Sequence, residues 1–199
     1  MNEKRSSALP VTAGVALPRA DAPARGLALR LAACVAFAAL TFAGANIVIP
    51  LQPVPITLQT LFVLLAGALA GRGWGAGSQT LYVGAGALGL PIFAGGLSGW
   101  GILTGPTGGY LVAFAVAPLV VGALIHRHAS ILWQVGVFLL GTAVIFALGL
   151  AHLALFYTHD LGGALAVGLF PFVPGAAFKI VAAISIYRSY GALRARRAA

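Results

Sequence analysis

The sequence predicts an all-α membrane protein, and three observations carry that expectation. The chain has 199 residues, of which 60% are hydrophobic and only 8% charged. A water-soluble domain carries roughly 25% charged residues to cover its surface, so a chain this poor in charge has lipid as its main solvent. Its apolar residues gather into runs separated by Gly, Pro and Arg, and its basic residues fall at the chain ends and in alternate loops.

A helix that crosses a bilayer needs about 20 apolar residues. Six spans are expected on that basis: Leu27–Ile49, Ile56–Ala70, Gly75–Phe93, Gly109–Ile125, Ile131–Phe156 and Leu165–Tyr187. Residues 1–25, rich in Ala, Pro and Arg and without helical periodicity, read as a disordered cytoplasmic tail. Residues 26–190 read as one transmembrane domain and residues 191–199 as a basic cytoplasmic tail. Ala43-Gly44-Ala45 resembles a signal-peptidase site, but the stretch before the apolar run is long for a signal peptide, so the first span is expected to be retained. Pro53 and Pro55 precede the second span and predict an irregular start. Pro171, Pro174 and Gly175 predict that the last span is broken, with a short helix leading into the main one.

Charge tests the count. Lys4, Arg5, Arg19, Arg25 and Arg30 lie at or before the start of the first span. Arg72 lies between the second and third, Arg127 between the fourth and fifth, and Arg188, Arg194, Arg196 and Arg197 follow the sixth. With six spans all of these fall on one side, and the positive-inside rule places both termini in the cytoplasm. The net charge of +9 is therefore read as orientation signal. It forms no basic stripe with interleaved aromatics of the kind nucleic acid requires. Cys34 is the single cysteine, and no Cys/His cluster has metal-ligand spacing.

Lys179 is the twelfth basic residue, and it sits inside the last span. A cation in hydrocarbon costs about 2.5–3.5 kcal/mol on insertion scales. The acids are Glu3, Asp21 and Asp160, and none lies within a span. Three readings are open: the ammonium snorkels to a surface, the amine is buried in its neutral form, or its counter-charge comes from a ligand such as a carboxylate. The loops after the first and third spans, residues 50–60 and 93–110, are rich in Pro and Gly and lie on the same side of the bundle. Non-helical backbone at membrane depth is tolerated where it lines a cavity, so these loops are expected to lid a pocket that opens outward. Ala28, Ala32 and Ala36, with Ala39 and Ala43 beside them, form a smooth ridge on the first span where another helix can approach.

Four segments in order, P-V-P-I-T-L-Q-T (53–60), A-L-G-L-P-I-F-A-G-G (87–96), G-P-T-G-G-Y (105–110) and F-V-P-G-A-A-F-K (172–179), resemble the BioY family. These are the biotin-binding S components of energy-coupling factor (ECF) importers. The resemblance covers most of residues 28–190. It implies a six-helix bundle in the bacterial cytoplasmic (inner) membrane that captures biotin with high affinity. It also implies that Ala28, Ala32 and Ala36 dock onto a module of one transmembrane coupling protein and two ATPases. The chain lacks a G-x-x-x-x-G-K-[ST] loop, in keeping with ATP chemistry in partner subunits, and no cofactor is implied. In the family the last motif usually reads P-G-D-x-x-K, its lysine holding the biotin carboxylate and its aspartate the ureido ring. Lys179 matches the lysine, but Ala176 stands at the aspartate position. Gln59, Asn46, Ser98, Gln79 and Tyr82 are candidates to compensate, and Trp100, Tyr82 and Tyr110 are candidates to cover the ring.

Two other functions compete. A stand-alone facilitator or channel for a small carboxylate would work without a partner and without tight binding. Gly96-Leu97-Ser98-Gly99 matches the G-x-S-G of rhomboid intramembrane proteases, but their histidine base lies on the last span, where this chain has none; its histidines are His126, His128, His152 and His159.

Overall fold

The computed structural model describes residues 23–198; of the tail expected over residues 1–25, residues 1–22 lie outside the described residues and Pro23–Arg25 belong to the first helix. The chain is mostly helical. Helix α1 (Pro23–Ala45) leads into a short antiparallel hairpin, β1 (Val48–Ile49) with β2 (Ile56–Thr57). Then follow α2 (Gln59–Leu65), which continues through a π-helical turn at Ala66–Ala70, and α3 (Arg72–Ala87). A loop with one 3-10 turn (Ala94–Gly96) and the short α4 (Trp100–Thr104) connects to α5 (Gly108–Leu124). The chain ends with α6 (Ile131–Leu153), α7 (Leu161–Gly168) and α8 (Val173–Ala198).

Three described helical stretches are long and apolar enough to cross a membrane: Gly26–Ala45, Ile131–Thr158 and Leu161–Arg197, the last running through the turn between α7 and α8. Gln59–Ala70 and Gly108–Leu124 are apolar but shorter. Leu27, Leu29, Leu31, Val35, Leu132, Leu139, Phe156 and Val181 are exposed on these helices. An outer surface of that character suits lipid contact rather than water.

Several expected boundaries are corrected. The first span does not run helical to Ile49: α1 stops at Ala45, and Val48–Ile49 pair with Ile56–Thr57. β-Branched residues on both sides of Pro50, Pro53 and Pro55 suit a hairpin, since the prolines cannot continue a helix. The second span therefore starts as a helix at Gln59, not Ile56. The third runs Arg72–Ala87 rather than Gly75–Phe93, because Gly89 turns the chain at φ 107° and Pro91 follows. The break expected in the last span is present, with a 3-10 turn at Phe170–Phe172 between α7 and α8. Residues 191–197 continue α8 as helix.

Two side-chain caps start the C-terminal helices. Ser130 accepts from the Trp133 N–H at the head of α6, and Asp160 accepts from the Gly163 N–H at the head of α7. Helices α5 and α6 approach closely because Gly149 leaves room for the Tyr110 ring: a Cβ there would stand 2.3 Å from that ring. The Tyr110 hydroxyl reaches across to donate to Gly168 O at 2.9 Å, tying α5 to the end of α7. Where α1 meets α3, a polar seam is buried. The Thr41 hydroxyl shares its one proton between Phe37 O and Gln79 Oε1, Gln79 Nε2 donates to Ser78 Oγ, and Ser78 donates to Gly75 O. Thr41, Ser78 and Gln79 are fully buried, and the seam satisfies itself.

Candidate binding site

A cavity enclosing about 770 Å³ of non-atom space, its open mouth included, lies between α2, α5, α6 and α8. The hairpin supplies Val54, Pro55 and Thr57; α2 supplies Gln59, Thr60 and Leu64; the loop after α3 supplies Ala94; and Thr107 precedes α5. Both Pro- and Gly-rich loops thus line the cavity, as irregular backbone at such depth requires.

One wall is aromatic. Tyr110 and Phe172 stack with centroids 6.4 Å apart and planes 19° apart. Phe146 meets Phe172 edge-on at 6.2 Å. Phe114 completes that side. The polar groups are few: Thr57, Gln59, Thr60, Thr107, Thr142 and Lys179. Lys179 is 8% exposed and donates to Thr60 Oγ1 at 3.0 Å. Thr60 is a neutral acceptor, and the only acid among the described residues, Asp160, is engaged at the head of α7. The amine therefore faces an apolar space without a carboxylate partner among the described residues. This excludes snorkelling to bulk water. Ala176 lies one helical turn before Lys179 and lines the same cavity.

Of the residues singled out in the sequence, Lys179, Gln59 and Tyr110 meet at this cavity. The others lie elsewhere. Tyr82 is fully buried behind Gln59, accepting from its Nε2 at 2.6 Å and donating to Ile92 O at 2.9 Å. Gln79 belongs to the α1–α3 seam. Asn46 is exposed and caps back onto Phe42 O. Ser98 sits in the loop after α3, and Trp100 is 67% exposed at the start of α4. Three of the four histidines have other partners. His152 Nε2 bonds Gly105 O, His126 Nδ1 bonds Tyr187 Oη, and His128 packs edge-on against Trp133. The alanines Ala28, Ala32, Ala36, Ala39 and Ala43 are all exposed on one side of α1, while Ala38, Thr41 and Ala45 are buried against the bundle.

Sequence reasoning passed over Thr60, the hydrogen-bond partner of Lys179, although it ends the P-V-P-I-T-L-Q-T segment. Thr57 and Thr107 also lie within quoted segments, and their hydroxyls were the available signal. Phe172 opens the quoted 172–179 segment, whereas Phe114 and Phe146 carried no signal, because an aromatic in an apolar run looks the same whether it faces lipid or ligand.

The BioY family model matches residues 15–196. The chain belongs to the BioY family. A biotin transporter BioY of Thermotoga maritima is 43% identical over 150 residues, covering 75% of this chain and 88% of its own length. A probable biotin transporter BioY of Pyrococcus horikoshii is 37% identical with the same coverage of each chain. Among solved structures, the S-component for biotin from an ECF-type ABC transporter superposes with a TM-score of 0.76 at 25% identity, covering 83% of this chain and 92% of that one. The likeness in sequence to these relatives and in helical arrangement to that S-component each span three quarters or more of this chain.

Proposed function

We propose that this BioY chain captures biotin in the α2–α5–α6–α8 cavity as the substrate-specific subunit of an ECF-type importer. The observation that carries the reading is Lys179, buried at the wall of an apolar cavity with only a hydroxyl for a partner. Biotin brings what the cavity lacks. Its valerate carboxylate supplies the counter-charge, and a charge-assisted hydrogen bond in such surroundings is about twice as strong as a neutral one. Its apolar bicycle suits the Tyr110, Phe172 and Phe146 wall. With Ala176 at the aspartate position, the ureido ring needs another polar partner. Among the compensating candidates read from the sequence, Gln59 is the one that lines the cavity.

Under this reading the chain is a multi-pass protein of the cytoplasmic (inner) membrane, with six spans and both termini inside. It performs no bond chemistry of its own. ATP hydrolysis belongs to partner ATPases, reached through a coupling protein that docks on the exposed Ala28, Ala32 and Ala36 ridge of α1. A small-residue ridge lets a second helix pack at short range, which membrane association relies on in the absence of a hydrophobic drive.

Equilibrium binding of labelled biotin to the purified chain and to Lys179→Ala tests the reading. Tight binding by wild type and a loss of about 100-fold or more in the variant are expected, the scale for removing one member of a buried charge pair. A wild-type chain that does not bind biotin ends the assignment, and a variant that binds equally well ends the role of the lysine. Uptake in cells with and without partner ATPases separates an ECF subunit from a self-sufficient facilitator.

A further inference from the structure

Tyr82 lies behind the cavity wall rather than on it, yet its hydroxyl controls a group that does line the wall. The phenol has one proton to give and lone pairs to receive with. Its Oη is bonded on two sides, to Ile92 O at 2.9 Å and to Gln59 Nε2 at 2.6 Å. A backbone carbonyl cannot donate, so the proton goes to Ile92 O and Oη can only accept from Gln59. Gln59 must then turn its NH2 toward Tyr82. Its Oε1 falls on the other side, where the Thr57 hydroxyl donates to it at 2.7 Å.

The carbonyl that takes the proton is itself held in place. Phe93, the next residue, is 3% exposed and meets the Tyr82 ring edge-on at 5.7 Å. Its ring fills the space over Gly86, where a Cβ would stand 2.3 Å from it. The Gly99 N–H donates to Gly86 O at 2.8 Å, fastening the same loop to the end of α3 at a second point. Ile92 O is therefore a fixed acceptor, and the chain Thr57–Gln59–Tyr82–Ile92 has one allowed direction.

We propose that Tyr82 is the positioning residue for Gln59: by spending its proton on Ile92 O, it holds the Gln59 amide in one of two orientations at the cavity wall. That orientation leaves Gln59 one free N–H and one free lone pair. A cyclic urea offers an N–H beside a C=O and can meet both. A flipped amide would exchange the two positions and mismatch a urea whose orientation is already fixed by its carboxylate at Lys179. The inference rests on the reading of this cavity as a biotin site.

The test is a double-mutant cycle on biotin affinity with Tyr82→Phe and Gln59→Ala. Tyr82→Phe keeps the ring and its contact with Phe93, but frees Gln59 to flip, since a hydroxyl such as that of Thr57 can accept as well as donate. About tenfold weaker binding is expected from Tyr82→Phe alone, and less than about twofold from the same change in the Gln59→Ala background. Equal factors in both backgrounds, or wild-type affinity in Tyr82→Phe, overturn the proposal, because a tyrosine that merely packs acts independently of Gln59. A second measurement needs no ligand. In the side-chain amide spectrum of glutamine-labelled protein, Gln59→Ala identifies the Gln59 pair, which must show a contact to the Tyr82 ring in wild type and shift in Tyr82→Phe. Absence of that contact overturns the proposal even where the variant does not fold. Wild-type protein that fails to bind biotin would remove the biotin reading, while the spectrum would still decide whether Tyr82 orients the amide.

Discussion

Two places in this molecule bury polar side chains, and they do so in opposite ways. In the seam between α1 and α3, Thr41, Gln79, Ser78 and the carbonyls of Phe37 and Gly75 satisfy one another. In the cavity, Lys179 has a hydroxyl where a charge should be. A buried polar group left short of partners costs free energy, and a buried charge costs more. The seam is what a chain does with polarity when the aim is to fix one helix against another. The cavity carries a deficit that nothing within the described residues makes good, and a site that waits for an anion has that form.

The sharpest way to break this contrast is to exchange the readouts. Lys179→Met should abolish measurable biotin binding, by about 100-fold or more, yet leave thermal stability unchanged or raised, since an unpaired buried charge is replaced by an apolar chain of similar length. A melting temperature that falls together with affinity would show that the lysine belongs to the scaffold. Next in size is Gly149→Ala. The added methyl meets the Tyr110 ring, which its bond to Gly168 O prevents from yielding, and overpacking of this kind costs about 1–3 kcal/mol. Because Tyr110 is also a cavity wall, denaturation and biotin affinity should both report the change. Gln79→Leu is the mirror image of the lysine variant. It leaves Thr41 and Ser78 short of a partner and should lower stability by about 1–2 kcal/mol with biotin affinity retained; loss of affinity without loss of stability would dissolve the distinction between the two regions.

The smallest effect lies in the turn after α5. Burial holds the His126 imidazole below its ordinary pKa. A histidine depressed in this way contributes stability that is present above its unfolded pKa of about 6.5 and is lost as pH falls through the lower folded value. Wild type should therefore melt at a slightly lower temperature at pH 5 than at pH 7, and His126→Gln should narrow that gap.

How legible all this was in the sequence varied with the physics of each part. Long apolar runs mark helices because lipid demands them, and the helices stand where the runs do, apart from their ends. Helix ends were legible only where a proline or a turn glycine intervened: Pro171 marked the break before α8, but Gly89 and Pro91 were read through, and the third helix was drawn too long. Lys179 stood out because a charge inside a span has few harmless explanations. Among the neutral polar residues no such argument applied. Gln59 and Gln79 look alike in sequence, and only packing sends one to the cavity and the other to the seam. Tyr82 was a fair suspect for the wrong layer, since a tyrosine's two ends let it serve a site from behind.

Helix α8 joins the cavity to the far end of the molecule without interruption. Lys179 lies near its start, and the same helix runs on to Arg196 and Arg197 in its last turn. At a rise of about 1.5 Å per residue, some 27 Å of unbroken helix separate Lys179 from Arg197. A rod of that length has no internal joint in which to absorb a tilt. A displacement of a few degrees at the amine becomes ångströms at the arginines, so the two ends must shift as one piece.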